Sequence, residues 1–235
     1  MSIENYLAAS GIDPIQFTDE FYASVARFHK EIEVLPAHDI SNEQPALHWQ
    51  YQVPELGEGG TCSLFVQLAE EPYDLAKSLG GKTVLNETLL RQVTALVDFY
   101  RRHSTSDWFG VYQKRLNLQG ESVLIKLAYY GAASRPEFPL TLEFAAMSNN
   151  STVGLSGKGR IINQVNQYRA AGGEYYTCDP KVNAEACLPV LDKNGDVLGI
   201  VDSETFIEHT FVGEELALLV AIVLRLSIVF GNENS

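Results

Sequence analysis

Cysteine is scarce in this chain: Cys62, Cys178 and Cys187 are the only three among 235 residues. An odd, irregularly spaced set excludes a secreted disulfide framework, and without a Cys-x-x-Cys pair no structural metal site is expected. Cations are also few, 17 Lys and Arg against 30 Asp and Glu, for a formal charge of -13. Phosphate backbones and anionic lipid surfaces both need clustered basic residues, so neither nucleic acid nor a membrane is an expected partner. The first residues lack a basic segment followed by an apolar run, so no signal peptide is read there and a cytoplasmic location is the default expectation. The most apolar stretch, residues 216–230, is short for a bilayer span and contains Arg225, which makes it a buried helix. No internal repeat or low-complexity tract stands out.

What is present is enough apolar content, 46% of residues, to bury a full core. Residues 18–33 predict an amphipathic helix, with Thr18 as N-cap and Phe21, Val25, Phe28 and Ile32 at helical spacing. Residues 36–60 read as an irregular connector, and 62–68 as a short strand or helix. Residues 86–102 predict a second helix with an apolar stripe, ending in basic residues that suit its dipole. Strands are predicted over 108–113 and 122–130, and a further one over 139–147. Residues 149–159, rich in Gly, Ser and Asn, read as a loop, and 160–171 as a helix closed by Gly172 and Gly173. Residues 184–191 and 197–204 then form a hairpin around Asn194-Gly195, and 214–230 form the closing helix. Hairpin connections imply an antiparallel sheet with helices packed on it, an α+β fold. Two parts are expected: an N-terminal helical extension over 1–80 and the sheet domain over 81–235. The closing helix is apolar nearly all round, which leads to the expectation of a homodimer built partly on terminal helices.

The last hairpin carries the chemistry. With Asn194-Gly195 as a two-residue turn, Lys193 pairs with Asp196, Cys187 falls opposite Asp202, and Glu185 opposite Glu204. Three carboxylates then share one surface, an arrangement that repels itself unless a cation or a shared proton compensates. A plain solvated face explains the same residues as readily. Cys178 lies just ahead, in Tyr176-Thr177-Cys178-Asp179-Pro180, where Asp179 and Pro180 suggest a loop and an accessible thiol; the bland reading is an inert small hydrophobe. A thiolate beside carboxylates is disfavoured, so it suits a substrate that is positively charged or protonated by one of the acids. Sulfoxide reduction is such a reaction: the thiol attacks sulfur while a carboxylic acid protonates the departing oxygen.

These residues resemble the free methionine-(R)-sulfoxide reductases, a family of enzymatic GAF domains. Cys178-Asp179, then Asn183, then Glu185 in a strand ending Leu188-Pro189, is similar to that family's pattern. Asp202-Ser203-Glu204 looks like its Asp-x-Asp, and Trp108-Phe-Gly110-Val-Tyr112 like its Trp-x-Gly-x-Tyr. The resemblance covers roughly residues 86–230 and implies a GAF-like sheet. It implies Cys178 as nucleophile, with Glu185 and Asp202 as catalytic acids. It implies Asp179 and Glu204 beside the substrate's ammonium, and Trp108 and Tyr112 as an apolar wall, although aromatic residues in a strand are more often plain core. No bound cofactor is implied, only an external thiol reductant such as thioredoxin. Residues 131–159, where the family generally has upstream resolving cysteines in the loop and at the helix start, contain none; Cys187 and Cys62 are the candidate replacements. The alternative to an oxidoreductase is a non-catalytic GAF sensor module that binds a small zwitterionic amino-acid derivative. A phosphate-bearing ligand suits the pocket poorly, because three carboxylates repel it.

Overall fold

The computed structural model describes residues 1–13, 17–35, 47–57, 63–173, 175 and 179–231. Two helices open the chain, α1 (Ile3–Ser10) and α2 (Asp19–Glu33). Short strands β1 (Gln50–Tyr51), β2 (Pro54–Leu56), β3 (Ser63–Leu68) and β4 (Tyr73–Asp74) follow, then α3 (Leu75–Ser78) and the long α4 (Val84–His103). The main sheet begins with β5 (Trp108–Leu116), β6 (Ser122–Tyr130) and β7 (Glu137–Pro139). Next come α5 (Leu142–Ala145), α6 (Asn149–Ser156), β8 (Arg160–Ile162) and α7 (Val165–Ala170). The chain closes with β9 (Ala184–Leu191), β10 (Val197–Thr205) and α8 (Gly213–Gly231).

The six strands lie in the order β7-β6-β5-β10-β9-β8, every neighbour antiparallel. This is the antiparallel α+β sheet that the hairpin pattern implied, and its GAF-like form is the one the family resemblance implied. Helices α4 and α8 cover one face and α6 the other, so β9 is buried along its whole length. Two-sided burial sorts the residues by alternation. Phe109, Val111, Ala186 and Val201 face α4 and α8, whereas Trp108, Tyr112, Cys187 and Ile200 face α6.

Helix α2 forms where the sequence signals it: the Thr18 hydroxyl accepts the Phe21 N–H at 3.1 Å, and Phe21, Val25, Phe28 and Ile32 are all buried. They bury against α8, which explains why α8 is apolar nearly all round. Its second covering layer is supplied by α2 of the same chain, so its apolarity does not require a partner subunit. Helix α1, which the sequence reading missed, ties to β9 through the Tyr6 hydroxyl, which donates to the Pro189 carbonyl at 2.9 Å. Among the described residues no helix is long and apolar enough to cross a membrane.

Three assignments change. Residues 149–159 are not a loop: Ser148 caps α6 by accepting the Ser151 N–H, and Gly157 closes it at φ 66°. Six of its eight positions are Asn, Ser, Thr or Gly, so its composition hid a helix fixed by its two caps. Residues 160–171 are not one helix: Arg160–Ile162 first pairs with β9, and only Val165–Ala170 is helical. The strand expected over 139–147 is β7, ending at Pro139, followed by the short α5. The stretch at 62–68 is a strand from Ser63, and the connector over 36–60 contains β1 and β2 among its described residues.

Candidate functional site

The β9–β10 hairpin reaches its expected register by an unexpected route. Its loop has three residues, Lys193-Asn194-Gly195, closed by the Asp192 N–H donating to the Asp196 carbonyl at 2.9 Å. Gly195 takes φ 89°, which a side chain would resist. A three-residue loop alone would shift every pair by one. A bulge between Val197 and Gly199 restores the register, so Cys187 pairs with Asp202 and Glu185 with Glu204. Strand β5 lies on the other side of β10, where Trp108 pairs with Glu204, Gly110 with Asp202 and Tyr112 with Ile200.

Above these residues is a cavity of about 440 Å³. Five of the residues singled out in the sequence line it: Trp108, Tyr112, Asp179, Asp202 and Glu204. Its aromatic wall is completed by Phe138 and Phe206, and Arg135 and Lys181 also border it. Pro54, Gln67 and Leu68 reach it from the N-terminal part, as the ends of β2 and β3. The indole lies across β5, anchored by its Nε1–H to the Ala132 carbonyl at 3.0 Å. Gly110 makes that posture available, because a Cβ there would sit 2.4 Å from Trp108 Cη2. Asn183 has a framework role, its amide donating to the Phe206 carbonyl at 2.8 Å.

The acids are desolvated. Glu185 and Asp202 are each 4% exposed. Burial, with Glu185 and Glu204 close by, holds the Asp202 carboxyl well above the usual carboxylate range. Burial, then Glu185 and Asp179, push Glu204 to about 8. Burial also raises Glu185, against the opposing effects of a Tyr175 hydrogen bond, an Asn149 hydrogen bond and the charge of Arg160. Two residues of α6, which the sequence reading passed over, complete the cluster. Asn149 Nδ2 donates to Glu185 Oε1 at 2.7 Å, and Asn150 Nδ2 donates to Asp202 Oδ2 at 2.9 Å. The other carboxyl oxygen, Asp202 Oδ1, is buried and has no partner among the described residues. An acceptor left in that condition costs about 1–3 kcal/mol, more if charged.

Cys187 is fully buried beneath this cluster, and burial, Asp202 and Glu185 push its thiol far up. Glu185 itself is hidden behind the cavity wall rather than lining it. Cys178 and Cys62 lie outside the described residues; in sequence they adjoin Asp179 and Ser63.

The sequence matches no protein-family model and no curated protein. Solved structures do resemble it. The type II free methionine-R-sulfoxide reductase from Thermoplasma acidophilum has a TM-score of 0.52 at 20% identity, over 63% of this chain and 96% of its own. The GAF domain of the Acinetobacter phosphoenolpyruvate-protein phosphotransferase has a TM-score of 0.49 at 12% identity, over 93% and 96%. The free methionine-R-sulfoxide reductase of Staphylococcus aureus, in complex with substrate, has a TM-score of 0.47 at 16% identity, over 63% and 94%. At 20% identity the likeness to the Thermoplasma structure speaks for architecture alone, and on that ground the chain has the GAF-like fold of that reductase.

Proposed function

We propose that the chain binds a small zwitterionic amino-acid derivative through its ammonium group, and that it reduces free methionine-(R)-sulfoxide or a close analogue. The observation that carries the reading is the buried Asp202 Oδ1, unpartnered among the described residues, on the wall of a cavity it shares with Glu204, Trp108 and Tyr112. An ammonium is a donor with the right charge for it, and the aromatic wall suits the methyl and methylene groups beside the sulfoxide. Burial favours the neutral acid at Glu204, which can then donate a proton near neutral pH.

In this reading the Cys178 sulfur attacks the sulfoxide sulfur as the sulfoxide oxygen is protonated. The oxygen passes to the cysteine, giving methionine and a sulfenic acid. A second thiol condenses with the sulfenic acid to a disulfide and water, and an external dithiol reduces the disulfide. Asp179, next to the nucleophile in sequence, borders the cavity, which is what the assignment of Cys178 needs. Cys187, sealed and held protonated, is a poor second thiol. With Cys187 unsuited, the second thiol comes from Cys62 or from the external reductant.

A sensor without turnover is favoured by one specific observation: the helix start of α6 carries Asn149 and Asn150, tied to carboxylates, and no thiol. Turnover of the R and S epimers with a chemical dithiol separates the two. R-specific turnover that is lost in Cys178→Ser supports the reductase. Binding of the R epimer without turnover assigns the sensor, and the absence of both rejects the site.

A further inference from the structure

We infer that Asn150 is the positioning residue that makes Asp202 an ammonium receptor, by occupying Oδ2 and leaving Oδ1 as the acceptor directed to the ligand. The inference rests on the ammonium-binding reading above and adds a residue to it.

The argument starts from the two ends of one hydrogen bond. An amide nitrogen carries only donors, so the contact at 2.9 Å requires Asp202 Oδ2 to accept. That stabilises the ionised form of a carboxyl which its surroundings otherwise drive to the neutral form. The carboxyls facing Asp202, Glu185 on β9 and Glu204 on β10, oppose its charge; Cys187 on β9 and Tyr112 on β5 are held neutral by burial, and the cations Arg135 and Lys181 border the same cavity. Arg160 on β8 acts on Glu185 and Cys187 rather than on Asp202. Among the described residues, Asn150 and the Ser203 backbone N–H are the groups that lower it.

The geometry also assigns different jobs to neighbours on one helix. Asn149 and Asn150 are both buried, both near the α6 N-terminus, and both donate to a carboxylate. Their partners differ. Glu185 has a second hydrogen bond from Tyr175 and does not line the cavity, whereas Asp202 lines the cavity and keeps a buried oxygen without a partner among the described residues. Losing Asn149 therefore disturbs the framework behind the site, and losing Asn150 changes the oxygen that the ligand meets. A protonated Asp202 could turn its own hydroxyl toward the cavity, replacing an acceptor with a donor that an ammonium cannot use.

The test is calorimetric titration of the full chain with free methionine-(R)-sulfoxide between pH 6 and pH 9, for wild type, Asn150→Ala and Asn149→Ala. Asn150→Ser takes the place of Asn150→Ala if that variant does not fold. The loss of one hydrogen bond to a charged group predicts that Asn150→Ala binds about tenfold or more weakly at pH 7. The defect should shrink as the pH is raised, because alkali ionises Asp202 without the help of the amide, and Asn149→Ala should change affinity less and without that pH trend. Binding by Asn150→Ala close to wild type at every pH overturns the inference, as does an equal, pH-independent loss in both variants. A wild type that does not bind overturns the ammonium-site reading instead. The inference is then judged by infrared titration of the Asp202 carboxyl, assigned by difference from Asp202→Asn. An upward shift on Asn150→Ala supports it, and an unmoved titration overturns it.

Discussion

The two faces of β10 invite comparison at neighbouring residues. Ser203 turns toward α4 and α8, and Asp202 turns toward α6. Both are buried and polar. The Ser203 hydroxyl is fully engaged, with the Tyr100 hydroxyl at 3.0 Å, the Ser106 hydroxyl at 2.9 Å and the Trp108 carbonyl at 3.3 Å. Asp202 has one oxygen bonded and one without a partner among the described residues. Around Ser203 the helix-side face is apolar and closed, with Phe109, Val111, Ala186 and Val201 all fully buried. Around Asp202 three carboxyls crowd a cavity. The first face is optimised for stability; the second carries a desolvation cost that the fold has no structural reason to bear. Adjacent positions in one strand thus separate scaffold from site.

Substitutions on each face break the comparison in opposite senses. The largest effect is expected on the closed face: Phe109→Ala should cost about 3–5 kcal/mol in urea denaturation, and any folded fraction should still bind ligand. Next, Gly110→Ala should push the indole off the strand, costing about 1–3 kcal/mol. Unlike Phe109→Ala it should also abolish binding, with a shift in Trp108 emission reporting the displacement. Third, Asp202→Asn should stabilise the ligand-free protein at pH 8 by about 1 kcal/mol, because it removes a buried like-charge contact. The smallest effect is a pH slope. Glu204 has a folded-state pKa raised from 4.5 to about 8, so it binds its proton more tightly when folded. Its contribution to stability is full below pH 4.5 and is lost as pH rises through 8. The melting temperature of the ligand-free chain should fall across that window, and Glu204→Gln should flatten the slope.

Much of this was legible in the sequence. The carboxylate face and its register followed from strand alternation, α2 from its cap and apolar spacing, and α4 from its apolar stripe and basic C-terminal end. The register was nevertheless reached through two deviations that cancel, a three-residue loop and the bulge at Val197–Gly199. Period-2 logic sees neither. Helix α6 was illegible for a different reason: eight residues with little apolar content are helical because of Ser148 and Gly157 and because they cover a sheet, which is tertiary information. Missing α6 meant missing Asn149 and Asn150, since a loop offers no reason to aim two amides at two strands. The only signal available was Ser148 ahead of the run and Gly157 after it. The apolar residues of α8 show that it is buried, but sequence spacing does not say that its covering layer is α2 of the same chain.

The most direct test of the central claim, that the buried acids exist to receive an ammonium, is calorimetric titration with methionine-(R)-sulfoxide at pH 7 in buffers of different ionisation enthalpy. With Glu204 protonated below about 8, an arriving cation should expel a proton from the cluster. Wild type should bind with up to one proton released, and Asp202→Asn should bind at least about 100-fold more weakly. Equal affinity in the two proteins, with no proton released, would contradict the account.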